Sequence, residues 1–241
     1  MKLLMILVAA LFFIPSQEGG VDASKPLDAE LTPASSSSIA PSSTAECLQD
    51  VLDAPDDATG TIKGKAKSPW FKRKVGVIFI QEVKGKKFAP PKKNPVMDQR
   101  NLVYVPHILP ILVGSTVDFP NTDEVRHNVY STKKSVKTFN LGTYDSSVVK
   151  NVTFDKVGVV SLLCNVHAEM NAHIVICQNP YFSMTNKKDG TFEIKNVPPG
   201  TYKLGIFHEK VRLKGDGPEV TVVAGKTAEV ELSKKIFKKK R

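Results

Sequence analysis

Aromatic side chains are scarce, 7% of 241 residues with a single tryptophan, and cysteine occurs only three times. Three scattered thiols cannot make the dense disulfide framework that holds a small secreted scaffold together. Cys47, Cys164 and Cys177 also lack the Cys-x-x-Cys-His run that covalent haem attachment needs. Acidic residues are in deficit, 24 against 34 lysines and arginines, for a formal net charge of +10. That excess suits anionic partners. The basic residues are not interleaved with aromatics and match no nucleic-acid motif, so nucleic acid is not expected among them. Helical periodicity is missing as well: no window of helical length repeats apolar residues at 3.6 with capping signals. The one long apolar run, residues 3–14, is shorter than the ~20 residues a membrane span takes.

What the chain does have begins with that run. Met1-Lys2 followed by twelve apolar residues reads as a secretory signal, with cleavage after Ser16 or after Ala23 both allowed. The expected location is therefore periplasmic or extracellular, with residues 1–23 as the signal peptide. Residues 24–57, containing "PASSSSIAPSST", are too poor in large apolar groups to offset their ordering entropy and read as a linker and lead-in. In an oxidising compartment an odd cysteine count leaves one thiol free, intermolecular or metal-bound. Setting Cys164 aside leaves Cys47 and Cys177 as a candidate disulfide whose formation the sequence leaves open. At the other end, "KKIFKKKR" makes residues 234–241 a basic tail. It reads first as a solvated, disordered end, and otherwise as a docking patch for an acidic partner or anionic surface.

From residue 59 onward the chain is a succession of short β-branched runs broken by Gly, Pro, Asn and Asp: "TIKGKAK", "VGVIFIQ", "STVDFPN", "HNVYS", "VGVVSLLCNVH", "AHIVIC". Closely spaced strands of this kind predict an all-β fold, a sandwich or barrel. Val160, Leu162 and Cys164 share one parity of their strand and so one face, the core face. A second style starts at Tyr181, where an Asp189-Gly190 turn and a Pro198-Pro199-Gly200 turn are flanked by strands.

The chemistry gathers in two stretches. "CNVHAEM" offers Cys164, His167 and Met170 within seven residues, and "RHNVYS" adds His127 forty residues earlier. Two imidazoles, a thiolate and a thioether form the donor set of blue copper. Zinc accepts the cysteine and histidines but rarely a methionine. Calcium and magnesium want oxygen. The other histidines, His107, His173 and His208, read as satisfied sandwich residues, with a second, looser metal site at His107 or His173 neither demanded nor barred. Asp118, Asp123 and Glu124 sit in Pro-Asn turn chemistry and read as solvated.

On these residues the stretch 88–180 resembles the cupredoxins, the small blue-copper electron carriers. The Cys-x-x-His-x-x-Met spacing is similar to the short ligand loop of the amicyanins, and the surrounding sequence to exported plastocyanin-like proteins of the methylamine-utilisation type. The resemblance implies an eight-stranded Greek-key sandwich holding one type 1 copper ion through His127, Cys164, His167 and, weakly on the axis, Met170. It implies that the Asn128 amide approaches the cysteine sulfur while the Asn128 side chain pins the ligand loop. Many relatives carry a proline after the loop histidine; here Ala168 and Glu169 stand instead. Through "DGTFEIKNVPPGTYKL" the C-terminal part is similar to carboxypeptidase-regulatory or transthyretin-like modules. The expected second, smaller β-sandwich is discontinuous, residues 58–87 with 181–233, with the cupredoxin inserted. The implied function is one-electron transfer with a redox protein partner that is acidic if the basic tail docks it. No bond-making chemistry is implied, so the chain reads as a carrier and not an enzyme. Rival readings are a non-redox cell-surface or carbohydrate-binding sandwich, and copper delivery or storage, which would need a more exposed site.

Overall fold

The computed structural model describes residues 58–240, so residues 1–57, with the expected signal peptide, the expected linker and Cys47, lie outside the described residues. Those residues form eighteen short strands and no α-helix. The fold is all-β, a set of layered sheets of the sandwich type.

One group of strands joins distant parts of the chain. β1 (Gly60–Lys67) lies between β13 (Thr191–Val197), antiparallel to it, and β17 (Thr227–Ser233), parallel to it. β2 (Val77–Ile80) lies between β12 (Phe182–Met184) and β14 (Gly200–Phe207), with β16 (Glu219–Val222) at the far edge. Alternate residues of these strands, among them Ile62, Ile80, Ile194, Leu204 and Leu232, make one shared core. Period-2 alternation is what a sheet with one wet face requires.

The intervening chain builds a five-stranded sheet in the order β5 (Ile108–Leu112), β11 (Asn171–Cys177), β10 (Gly158–Leu163), β7 (His127–Ser131), β8 (Asn140–Tyr144). Two ribbons, β3 (Asp98–Arg100) with β4 (Val103–Val105) and β6 (Thr116–Phe119) with β9 (Lys150–Thr153), contribute Tyr104, Val117 and Phe119 to the same core. Val160, Leu162 and Cys164 face that core together, as their parity requires. β11 is buried on both sides. Ala172, Ile174 and Ile176 face this core, while Val175 and Cys177 pack with Val77 and Phe207 of β2 and β14. A strand covered on two faces needs no polar alternation, hence its unbroken "IVIC".

The basic tail departs from expectation. Lys234–Ile236 make a single 3-10 turn, and β18 (Phe237–Lys239) pairs antiparallel with β15 (Val211–Leu213). Phe237 is buried 5.3 Å from the Phe71 ring, and the Lys240 ammonium lies 4.8 Å over Phe207. One aromatic anchor and a short ladder hold a segment that its charge alone would leave in solvent.

Candidate metal centre

Strand register assembles the site. Leu163 at the end of β10 is opposite Tyr130 of β7, so Cys164 emerges beside the strand that starts at His127. The loop from Cys164 is closed by two backbone bonds: the Cys164 amide donates to Met170 O at 3.2 Å, and the Met170 amide to His167 O at 3.1 Å. That tight return places His127, Cys164 and His167 with one donor atom each, all within 4.8 Å of one another. The two imidazole Nδ1 atoms are 3.0 Å apart. His127 is fully buried, Cys164 is 5% exposed, and Met170 is fully buried in the same core cluster as Cys164.

The tautomer of His127 follows from its other nitrogen. Nε2 lies 2.7 Å from the Asp123 carboxylate, which can only accept, so Nε2 carries the proton and Nδ1 keeps its lone pair for the cluster. Asp123 is thus not the solvated turn residue its sequence context suggests. Its two oxygens also accept from the Asn101 amide at 2.5 Å and the Leu102 amide at 2.9 Å. Burial raises the Asp123 carboxyl, and the bonds from Leu102, His127 and Asn101 outweigh it and hold the group below its ordinary range. Asn101 and Leu102 form the two-residue turn of the β3–β4 ribbon with φ of +53° and +60°. Leucine is disfavoured in that conformation, and the Asp123 carboxylate bridging both amides holds it there. Asp118 is likewise engaged, accepting from Asn94 at 3.0 Å, whereas Glu124 is exposed.

Asn128 plays one of its two expected parts. Its amide donates to Cys164 Sγ at 3.5 Å. Its side chain does not pin the ligand loop; Nδ2 donates instead to Asn140 Oδ1 of β8 at 2.8 Å. Tyr104, absent from the sequence reading, does tie the strands behind the loop: its buried hydroxyl reaches Asn128 O at 2.8 Å and Leu163 O at 3.1 Å. Burial, with the nearby Cys164 adding to it, pushes that phenol far above its usual range, so it remains a donor. Cys177 is a free, fully buried thiol pushed upward by burial; its candidate partner Cys47 lies outside the described residues.

Of the remaining histidines, His208 is satisfied on both nitrogens, by Lys74 O at 3.2 Å and the Lys210 amide at 3.0 Å. His107 and His173 are not independent core histidines. With Glu209 they form a second group whose donor atoms lie within 4.8 Å of one another. Burial pushes His173 down to about 4, against the pull of Glu209, so it is neutral at pH 7.

The fold and the cluster define a class: an all-β sandwich with a His–Cys–His donor group at one end of a five-stranded sheet. Residues 153–230 match the family described as polysaccharide lyase family 4, domain II, a stretch that runs from the end of β9 into β17. Among curated proteins none matches the chain. Similar solved structures include a proline-to-alanine mutant of amicyanin in its oxidised state, 22% identical over 34% of this chain and 81% of that one, TM-score 0.33. A purple cupredoxin from Nitrosopumilus maritimus is 23% identical over 34% of this chain and 99% of that one, TM-score 0.32. The copper-containing nitrite reductase of Thermus scotoductus SA-01 is 20% identical over 49% of this chain but only 28% of its own, TM-score 0.35.

Proposed function

We propose that the protein is an exported type 1 copper protein that carries single electrons between redox partners, and is not an enzyme. The observation that carries this reading is the convergence of His127, Cys164 and His167 around a tightly closed loop, with Met170 in the same core cluster as the thiol. The donor set fits copper by its own chemistry, since thiolate and thioether sulfur select copper and methionine is rarely a zinc ligand. When bound, copper supplies reversible one-electron chemistry.

The chain's own residues do the rest. Asp123 holds His127 in the tautomer that leaves Nδ1 free, the Asn128 amide points at the thiol sulfur, and Tyr104 ties β7 to β10 behind it. Strands and ladder bonds on both sides of the loop resist rearrangement, which favours a low reorganisation cost. His167 is half-buried between exposed Val166 and Ala168, an apolar rim where a partner can approach, with Glu169 adding an anionic edge. Cys164, His127 and Asp123 could also be read as a nucleophile, base and orienting acid. Burial of the thiol to 5% exposure argues against substrate access. Export rests on residues 1–23, and the burial of His127, Cys164 and Met170 favours a carrier over a delivery protein with an exchangeable ion.

Adding Cu(II) to the purified chain tests the reading. An intense visible thiolate-to-copper band with narrow hyperfine splitting is expected, lost in Cys164→Ser and retained with a shifted potential in Met170→Gln. A colourless product, or a band that survives Cys164→Ser, overturns it.

A further inference from the structure

A second donor cluster lies where the five-stranded sheet meets the C-terminal strands. His173 sits in β11 in register with Ile108 of the parallel β5, and its amide donates to His107 O at 3.0 Å. The ladder therefore makes the two imidazoles neighbours, with ring centroids 5.9 Å apart. Glu209, in the turn between β14 and β15, reaches them from the other group of strands.

The hydrogen bonds of these three side chains set the cluster apart. His107 Nδ1 lies 3.0 Å from Asn171 O, and a carbonyl can only accept, so Nδ1 carries a proton. Its Nε2 lies 2.7 Å from Glu209 Oε1, which is also only an acceptor. At that distance the two atoms need a proton, on the ring or on the carboxyl, or a metal ion between them. His173 uses Nδ1 on the Ser161 hydroxyl at 3.0 Å, and its Nε2 has no hydrogen-bond partner among the described residues. Lys74 takes the other Glu209 oxygen at 2.5 Å, which leaves Oε1 for the cluster. The His107 side chain is 42% exposed, so water and ions can reach the site.

We propose that His107, His173 and Glu209 form a metal site for a divalent ion of zinc's class, tying the C-terminal strands to the five-stranded sheet. Two imidazoles and a carboxylate suit zinc with one position left open to water, and the lack of sulfur sets the site apart from the cluster at Cys164. Zinc bonds of ~2.0–2.1 Å in a tetrahedral arrangement put donors roughly 3.3 Å apart. His107 Nε2 and Glu209 Oε1, 2.7 Å apart, need open only slightly, and all three donor atoms already lie within 4.8 Å of one another. The proposal is independent of the copper reading.

The test uses the full chain with Cys164→Ala and His167→Ala, which silences the first cluster. Calorimetric titration with Zn(II) is expected to show one equivalent bound. His107→Asn, His173→Asn and Glu209→Gln are each expected to weaken that binding at least tenfold. His107 is exposed, so its variant keeps the test interpretable if a buried replacement fails to fold. In the chain that keeps His107, His173 and Glu209, long-range proton–nitrogen spectra should show zinc shifting the ring nitrogens of His107 and His173 while leaving His208 in place. No uptake at one equivalent, uptake unaffected by the three substitutions, or unshifted His107 and His173 nitrogens overturns the site.

Discussion

Asp123 organises more of the candidate centre than any single donor. One carboxylate orients His127 and simultaneously holds the strained Asn101–Leu102 turn, so the imidazole and the β3–β4 ribbon are set by the same group. Removing a carboxylate behind a metal-binding histidine ordinarily costs roughly 10–100-fold in metal affinity. Asp123→Ala is therefore expected to weaken copper retention by about that factor in competition with a chelator, while Glu124→Ala leaves it unchanged. Equal effects from the two would remove Asp123 from this role. The meeting of His127, Cys164 and His167 was legible: the cysteine and one histidine share a loop with Met170, and His127 heads a strand with a recognisable pattern. Asp123 was not, because its meaning depends on amides 21 and 22 residues upstream that only the folded ribbon brings to it.

At the scale of elements, alternation was readable wherever a strand has one wet face. The core parity of β10 and the turns at Gly190 and Gly200 are of this kind. The C-terminal segment defeated the same logic. Six cations in its last eight residues mask Ile236 and Phe237, and nothing local shows that Phe71 and β15 await them. Burial of Phe237 is what holds β18, so Phe237→Ala is expected to destabilise the protein by roughly 3 kcal/mol in urea unfolding. Removal of the flanking Lys238 charge, on an exposed position, should change stability by no more than ~0.5 kcal/mol. A Phe237 variant as stable as the parent would mean that the strand contributes nothing.

Across the whole molecule, stability depends on groups that bridge layers, and Tyr144 is one with a pH signature. Its hydroxyl donates to Phe119 O of β6 at 2.9 Å and accepts from Gln99 Nε2 at 2.7 Å. Burial pushes it up to about 12, against the bond from Gln99. Between the ordinary value of 10.0 and about 12 the unfolded chain releases this proton while the folded one keeps it. Its contribution is therefore intact below the unfolded value and lost as pH rises through the folded one. At pH ~11.5 that loss is roughly 2 kcal/mol. Unfolding midpoints at pH ~8 and ~11.5 should lie further apart in the parent than in Tyr144→Phe, and identical gaps would refute the assignment.

The pairing of β1 carries a consequence for how the chain is made. Gly64, at its middle, is matched with Phe192 of β13 on one side and Val230 of β17 on the other. A chain that emerges N-terminus first exposes β1 before either partner exists. The stretch from residue 96 to 177, with all four candidate copper donors, can close its own core while β1 waits. The strand synthesised first among these cannot be paired on both sides until β17 has been made, and the sheet with the candidate donors can be complete before then.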